Sequence, residues 1–125
     1  MALVKDLVSL GWNSQDASHV GDDQELNITA TGTTQATAFP ITKGINAITG
    51  GDVSNYSVVL PPIAKYKQTF ILIRSTYIAF NVYIFPATGE LINGLAINAP
   101  ITVVPNTAYL FAKYNSSSWI SIGGT

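Results

Sequence analysis

The feature that most constrains this chain is a series of short apolar runs, each closed by a turn signal, from Leu26 onward. The run LNITAT alternates apolar and polar residues, which is the period-2 pattern of a strand buried on one face. Later runs such as YSVVLPP, TFILI, AYLFAKY and WISIG are rich in β-branched and aromatic residues. Glycine, proline, asparagine and serine separate them. We predict an all-β fold, a β-sandwich, jelly roll or small barrel of about eight to nine short antiparallel strands.

The first 25 residues differ from the rest of the chain. The stretch LVKDLVSL has the spacing of one or two helical turns, with Leu3 and Leu7 on one side. The stretch that follows, WNSQDASHVGDDQE, is acidic and holds few apolar residues, which is the composition of an arm or loop. We predict an N-terminal arm over residues 1–25 and a single β-domain over residues 26–125.

Charge and cysteine content narrow the classes of function. Charged residues make up 10% of the chain, against about 25% in typical soluble domains. The net charge is −1 and the six Lys and Arg residues are scattered, so nucleic-acid binding is not expected. The chain has no cysteine, which excludes disulfides and thiolate metal sites. A surface with so little charge predicts partial burial in a homo-oligomer.

The longest apolar-rich segment, TFILIRSTYIAFNVYIF, is interrupted by polar residues that include Arg74 and Asn81. Its β-branched and aromatic content favours two strands over a membrane span. Lys5 and Asp6 interrupt the apolar residues at the start of the chain, so we expect no secretion signal there.

Groups suited to catalysis or metal binding are sparse. His19 is the only histidine and lies in a polar segment, which is typical of a solvated side chain rather than a catalytic base. Asp52 and Glu90 each stand beside a glycine, so turn position explains them better than a glycosidase pair does. The acidic stretch GDDQE lacks the alternating spacing of a calcium loop. We expect no enzyme activity, no cofactor and no bound metal.

Tyrosine and tryptophan side chains have two interpretations. They either stack on sugar rings, as in lectin-like sandwiches, or fill the core and subunit interfaces, and we favour the second. Trp12 lies in the arm, away from any strand, and is therefore a candidate anchor for a partner surface. The set comprises Trp12, Tyr56, Tyr66, Tyr77, Tyr83, Tyr109, Tyr114 and Trp119.

The stretch VYIFPATGELINGL raises the question of a ligand loop. Pro86 is expected to end the preceding strand, and Gly89 permits a positive φ in the turn. The Asn93-Gly94 pair is a hairpin signal. Glu90 needs no partner to account for its place in a turn. We therefore interpret the stretch as two successive sheet corners rather than as a site.

Several short motifs follow one another between Ile28 and Ile122. They are a Thr/Ala-rich opening strand, a strand that ends in Leu-Pro, a Val-Tyr strand with a proline and a glycine turn, Ile-Asn-Gly, and a late tryptophan. In their order and spacing the chain resembles a family of small β-rich proteins encoded among the structural genes of tailed bacteriophages. VYIFP departs from the family pattern, because Ile84 and Phe85 are inserted between Val-Tyr and the proline. The marker residues are Leu60, Pro61, Val82, Tyr83, Pro86, Gly89, Asn93, Gly94 and Trp119.

The resemblance implies a virion protein, assembled in the bacterial host cytoplasm, that is either a capsid decoration (cement) protein or part of a fibre. Decoration proteins of this kind are similar in size, are often trimers, and bind where major capsid subunits meet. We expect a non-enzymatic homotrimer that stabilises the assembled head, with no membrane partner. The alternative is a fibre module that binds host glycans. Candidate contacts to the major capsid protein are Leu3, Leu7, Trp12 and Asn13.

Overall fold

The computed structural model describes residues 23–51, 56–77 and 79–124. Within these ranges the chain forms ten β-strands and no helix, which confirms the predicted all-β class. No helix in the described part is long and apolar enough to cross a membrane. The strands are β1 (Gln24–Thr29), β2 (Phe39–Pro40), β3 (Ile45–Gly50), β4 (Ser57–Val59), β5 (Phe70–Ser75), β6 (Val82–Phe85), β7 (Leu91–Ile92), β8 (Ile101–Val103), β9 (Thr107–Lys113) and β10 (Ser118–Gly124).

The strands form two sheets between which the chain alternates. A six-stranded sheet has the order β1-β3-β5-β9-β10-β7, and a four-stranded sheet has the order β2-β4-β6-β8. From β1 to β6, consecutive strands alternate between the two sheets. Strands two apart along the chain are therefore neighbours, and they pair in parallel. This winding places Gln24, Ile45 and Leu72 side by side on three successive strands.

The predicted antiparallel pairing is wrong for five of the eight strand pairs that the described residues form. The antiparallel pairs are β5–β9, β9–β10 and β6–β8. Only β9 and β10 follow each other directly as a hairpin, closed by the Tyr114 N–H donating to the Ser118 carbonyl at 3.0 Å. Period-2 alternation reports which face of a strand is buried and carries no information on the direction of its neighbour.

Both sheets contribute their inward side chains to one hydrophobic cluster. In β5 the buried Ile71 and Ile73 alternate with the outward-facing Phe70 and Leu72. Each fully buried aliphatic side chain contributes about 1.5–3 kcal/mol of transfer free energy. The cluster consists of Ile28, Ala30, Ile41, Ile48, Val58, Leu60, Ile63, Tyr66, Ile71, Ile73, Val82, Ile84, Ile92, Val103, Phe111 and Trp119.

The boundary between arm and domain lies slightly earlier than predicted. β1 begins at Gln24, so the last two residues of the predicted arm belong to the sheet. The Asp23 carboxylate accepts the backbone N–H of Gly44 at 2.8 Å and the side-chain amide of Gln68 at 2.5 Å. These bonds fix the start of β1 beside the residues that lead into β3 and β5. The remainder of the predicted arm, residues 1–22, lies outside the described residues.

The run TQATAFPI, residues 34–41, is one of the short runs from which strands are predicted, but most of it forms a turn. The Thr37 N–H donates to the Thr34 carbonyl at 3.1 Å, and the Thr34 N–H donates to Thr37 Oγ1 at 3.2 Å. Threonine side chains offer the backbone these local bonds in competition with sheet pairing. The strand is therefore reduced to Phe39–Pro40, at the edge of the four-stranded sheet, where a proline is tolerated.

Candidate interaction surfaces

The residues predicted to contact the capsid lie outside the described residues, and their role stays a prediction. The same is true of two ionisable residues that were considered for catalysis. Outside the described residues lie Leu3, Leu7, Trp12, Asn13, His19 and Asp52.

Glu90 has a partner that the sequence did not indicate. Its carboxylate accepts the backbone N–H of Ile63, at 3.1 Å from Oε2 and 3.3 Å from Oε1. Its own carbonyl accepts the Asn98 N–H at 2.9 Å, and the Asn98 side-chain oxygen accepts the Gly89 N–H at 2.8 Å. Glu90 therefore ties the turn after β4 to the corner between β6 and β7. This is a structural use of the carboxylate.

The two described acids near the start of the domain, Asp23 and Glu25, have separate environments. In the described part of the chain, no three His, Cys, Asp or Glu side chains come together in a group that would hold a metal ion. Asp23 is engaged by Gly44 and Gln68, and Glu25 is exposed on β1.

Among the described residues, Tyr66 is the ionisable group whose pKa is most altered by its surroundings. Burial, together with the negative charge of the nearby Asp23, raises the pKa of Tyr66 well above its usual range. Its hydroxyl donates to the Phe70 carbonyl at 2.8 Å. The Lys113 ammonium donates to the Tyr66 carbonyl and lies 5.5 Å from the centre of its ring. These contacts hold the segment before β5 against β9.

The first predicted corner is present. β6 ends at Phe85, directly before the buried Pro86. Gly89 has a φ of 84°, and the Glu90 N–H donates to the Ala87 carbonyl at 2.9 Å. A Cβ at Gly89 would meet no atom within 4 Å, so the requirement for glycine is one of backbone conformation.

The second corner has the predicted turn but not the predicted hairpin. Asn93 and Gly94 have φ values of 56° and 72°, and the Leu95 N–H donates to the Ile92 carbonyl at 3.0 Å. β7 nevertheless pairs in parallel with β10, and the Asn93 N–H donates to the Trp119 carbonyl at 2.9 Å. The chain then crosses to β8 in the other sheet. The hairpin prediction is wrong because the chain after Gly94 leaves the six-stranded sheet and does not return along β7, which stays the terminal strand of that sheet.

The other marker residues mostly belong to the core. Leu60, Val82 and Trp119 are buried in the hydrophobic cluster. Pro61 is half-buried and follows β4 after one residue. The half-buried ring of Tyr83 packs on Tyr56 at 5.2 Å between ring centroids.

The described tyrosine and tryptophan residues are buried or half-buried, with one exception. The Tyr66 and Trp119 rings pack at 6.0 Å between centroids. Tyr114 is the exception, because 69% of its surface is exposed. Buried or half-buried in the described part of the chain are Tyr56, Tyr66, Tyr77, Tyr83, Tyr109 and Trp119.

Beside Tyr114 a groove of about 510 Å³ opens where the turn after β7 meets the β9–β10 hairpin. We call it the loop groove. It combines an exposed aromatic ring with amide and hydroxyl groups, and none of the described residues that line it is charged. The Asn115 side-chain oxygen accepts the Ser117 N–H at 2.9 Å, so this side of the groove is braced from within. The lining residues are Leu91, Asn93, Gly94, Tyr114, Asn115, Ser117, Ser118, Trp119 and Ile120.

An exposed apolar surface in the described part of the chain lies on the opposite side of the six-stranded sheet from the core. Directly paired residues face the same side of a sheet, so the strand register defines three rows of outward side chains. We call them together the outer sheet face. One residue of these rows, Arg74, is charged, one other, Gln24, is polar, and the rest are apolar. The rows are Phe70–Ala112–Ile120, Gln24–Ile45–Leu72–Leu110–Ile122 and Ala47–Arg74–Ala108.

Exposure on the outer sheet face is high for side chains of this type. Phe70 is 55% exposed and Ile122 is 63% exposed, while Leu72 and Ile120 are 36% and 37% exposed. Single exposed apolar residues are ordinary, but a contiguous patch that crosses four strands marks an interaction surface. The sequence did not reveal this face, because FILI reads equally well as a strand buried on both sides.

Comparison with protein-family models, with curated proteins and with solved structures finds no match to the chain. Function is therefore inferred from the surfaces described above and from the sequence.

Proposed function

We propose that the protein is a non-enzymatic structural component of a tailed-bacteriophage particle and acts as a capsid decoration protein. The observation that carries the proposal is the outer sheet face, an exposed apolar surface with a single charged side chain. Such a surface is suited to burial in an assembly. The marker motifs and the low charged fraction of 10% support the same assignment.

The proposed mechanism is mechanical. The protein binds the assembled head and not the free major capsid protein, so its binding free energy adds to the stability of the shell by mass action. Many copies act together, and several weak contacts across capsomer boundaries sum to a strong one. The two wound sheets supply a rigid body, and Leu3, Leu7, Trp12 and Asn13 supply the proposed contacts to the major capsid protein.

The test is to locate the protein on the particle. Electron microscopy of particles assembled without the protein, before and after the purified chain is added back, is expected to show new density on the head. Mixing with unassembled major capsid protein is expected to give no complex. A variant without residues 1–22 is expected to lose head binding while keeping its β-sheet spectrum. Density on the tail or fibre, or no binding to any particle, would contradict the proposal.

A second candidate function rests on the loop groove. Tyr114 presents an exposed ring beside uncharged amide and hydroxyl groups, which suits neutral sugars, since an aromatic face stacks on a pyranose ring. The protein would then be a fibre module that binds host glycans. A glycan array is expected to show specific binding that Tyr114→Ala abolishes, whereas Phe80→Ala, at an exposed ring that packs on Tyr77, leaves it intact. Absence of binding across the array favours the decoration protein.

A further inference from the structure

The outer sheet face is complementary to itself. Phe70, Leu72 and Arg74 all face outwards on β5, with Leu72 in the middle and the aromatic ring and the cation two residues to either side. Consider two copies stacked face to face, with a two-fold axis in the plane between them. If the axis crosses β5 at Leu72 and is perpendicular to the strands, the strands of the second copy run in the reverse direction. Arg74 of each copy then lies above Phe70 of the other.

This overlay satisfies the one charged group of the face. An arginine guanidinium over an aromatic ring is a favourable cation–π pair, stronger as the site is desolvated. The alternative overlay, with the axis parallel to the strands, places both copies of Arg74 at the same level. In that arrangement Arg74 faces the Arg74 of the other copy if the axis runs along β5, and faces Ala47 or Ala108 if the axis lies midway between β5 and a neighbouring strand. Charge complementarity therefore selects the reversed overlay.

The size of the face suits a weak contact with one partner of the same kind. The apolar residues of the rows cross four strands about 4.8 Å apart and five residues of β5 at about 3.3 Å each, which gives a footprint of roughly 300 Å² before side-chain relief is counted. A standard interface buries about 800 Å² of accessible surface on each partner, so a reversible dimer is expected. Two such faces stack about 10 Å apart, as sheets do in a protein core.

We propose that the protein forms a two-fold dimer through the outer sheet faces, with β5 crossing β5 at Leu72 and two Arg74–Phe70 contacts across the axis. The contact is isologous and closes on itself, so it builds a pair rather than an open fibre. It differs from the trimer that the family resemblance implies, since three copies need a second, different surface. The dimer belongs to the isolated protein and does not depend on its assignment to a phage particle.

Sedimentation equilibrium of the full chain across a wide concentration range tests the stoichiometry. The expected result is a monomer–dimer equilibrium. A monomer at every concentration, or a trimer, would overturn the proposal. A full chain that is a monomer, together with a variant without residues 1–22 that dimerises, would mean that the N-terminal arm covers the outer sheet face. That result would also overturn the proposal.

Charge substitutions test the direction of the overlay. Arg74→Glu places a carboxylate against the face of a ring at two symmetric positions, and is expected to weaken dimerisation by roughly tenfold or more. Phe70→Glu replaces the two cation–π pairs with two ion pairs across the axis, and is expected to weaken it much less. Equal loss from the two substitutions would overturn the reversed overlay. Circular dichroism checks that both variants keep the wild-type sheet content.

A crosslink tests the position of the axis, because the chain has no cysteine of its own. Leu72→Cys places one thiol on the axis in each copy, and is expected to give a covalent dimer with a short bismaleimide crosslinker, because sheets about 10 Å apart exceed the reach of a disulfide. Thr102→Cys, at an exposed position of β8 in the other sheet, is the matched control and is expected to stay uncrosslinked under the same conditions. Equal crosslinking of the two variants, or none from Leu72→Cys, would overturn the proposed axis.

Discussion

The Glu90 carboxylate accepts the backbone N–H of Ile63 at 3.1 Å, which joins two corners that are 27 residues apart along the chain. Ile63 is 6% exposed, so water has little access to its N–H once the acceptor is removed. The acid that looked like a candidate catalytic group is thereby explained by the backbone that it satisfies. Removal of the Glu90 carboxylate should therefore lower the stability of the fold.

Substitution of Glu90 by alanine is expected to lower the free energy of unfolding by about 1–3 kcal/mol, because it leaves a buried donor without its acceptor. Glu90→Gln keeps an acceptor oxygen and is expected to cost less. Urea denaturation followed by tryptophan fluorescence measures both. Glu25→Ala, at an exposed acid on β1, is the control, with an expected change within about 0.5 kcal/mol. Equal effects at the two acids would argue against the bond to Ile63.

Two glycines with similar backbone conformations are expected to respond differently to alanine. Gly94 has a φ of 72° and open space at its Cβ position, so Gly94→Ala should cost about 1–2 kcal/mol for the strained φ alone. Gly32 has a φ of 66°, but a Cβ there would collide with the side chain and carbonyl of Thr37. Gly32→Ala is therefore expected to lower the melting temperature further than Gly94→Ala. Equal shifts in thermal unfolding would contradict the predicted collision.

Local chemistry was predictable from the sequence because short-range sterics decide it. Proline cannot donate to a ladder, so the end of β6 before Pro86 follows from residue type. The positive φ values at Gly89, Asn93 and Gly94 likewise follow from residue type. The all-β class rests on the same kind of signal, repeated along the chain.

The winding of the chain between two sheets was not predictable in this way. Ile28 alternates with Asn27 and Thr29 in the same manner whether its strand pairs in parallel or antiparallel. The parallel partner of a strand here lies about 20 or more residues away, and no turn residue encodes it. The outer sheet face was not predictable for the same reason. Phe70 and Leu72 are as apolar as Ile71 and Ile73, and only the fold decides which pair is buried.

The core position of Trp119 predicts two different costs for two substitutions. Trp119 is fully buried, and its Nε1–H has no hydrogen-bond partner in the described part of the chain. Trp119→Ala creates a large cavity and is expected to cost about 3–5 kcal/mol. Trp119→Phe keeps an aromatic ring and removes an unsatisfied donor, so it is expected to cost clearly less. Guanidinium denaturation followed by circular dichroism measures both.

The control for this comparison is Tyr114→Ala, because Tyr114 is 69% exposed and a change within about 0.5 kcal/mol is expected there. A cost for Trp119→Phe as large as that for Trp119→Ala would mean that the indole donor has a partner in the folded protein.

The raised pKa of Tyr66 predicts how stability depends on pH above neutrality. Burial favours the neutral phenol, and the charge of Asp23 disfavours the phenolate, so folded Tyr66 keeps its proton at pH values where an unfolded tyrosine has lost it. A group whose pKa is raised by folding adds stability below its unfolded pKa, which is about 10 for tyrosine. The free energy of unfolding is therefore expected to be insensitive to Tyr66 up to about pH 9. Above pH 10 it should fall by up to about 1.4 kcal/mol per pH unit.

Urea unfolding of the wild type and of Tyr66→Phe at a series of alkaline pH values isolates this contribution, since the two proteins share every other ionisable group. Tyr66→Phe is expected to be less stable at neutral pH, because it loses the hydroxyl bond to the Phe70 carbonyl. Its stability is also expected to fall less steeply above pH 10 than that of the wild type. Absorbance of the folded wild type is expected to show one tyrosine that titrates later than the rest. Parallel stability curves for the two proteins would show that Tyr66 titrates as an ordinary tyrosine.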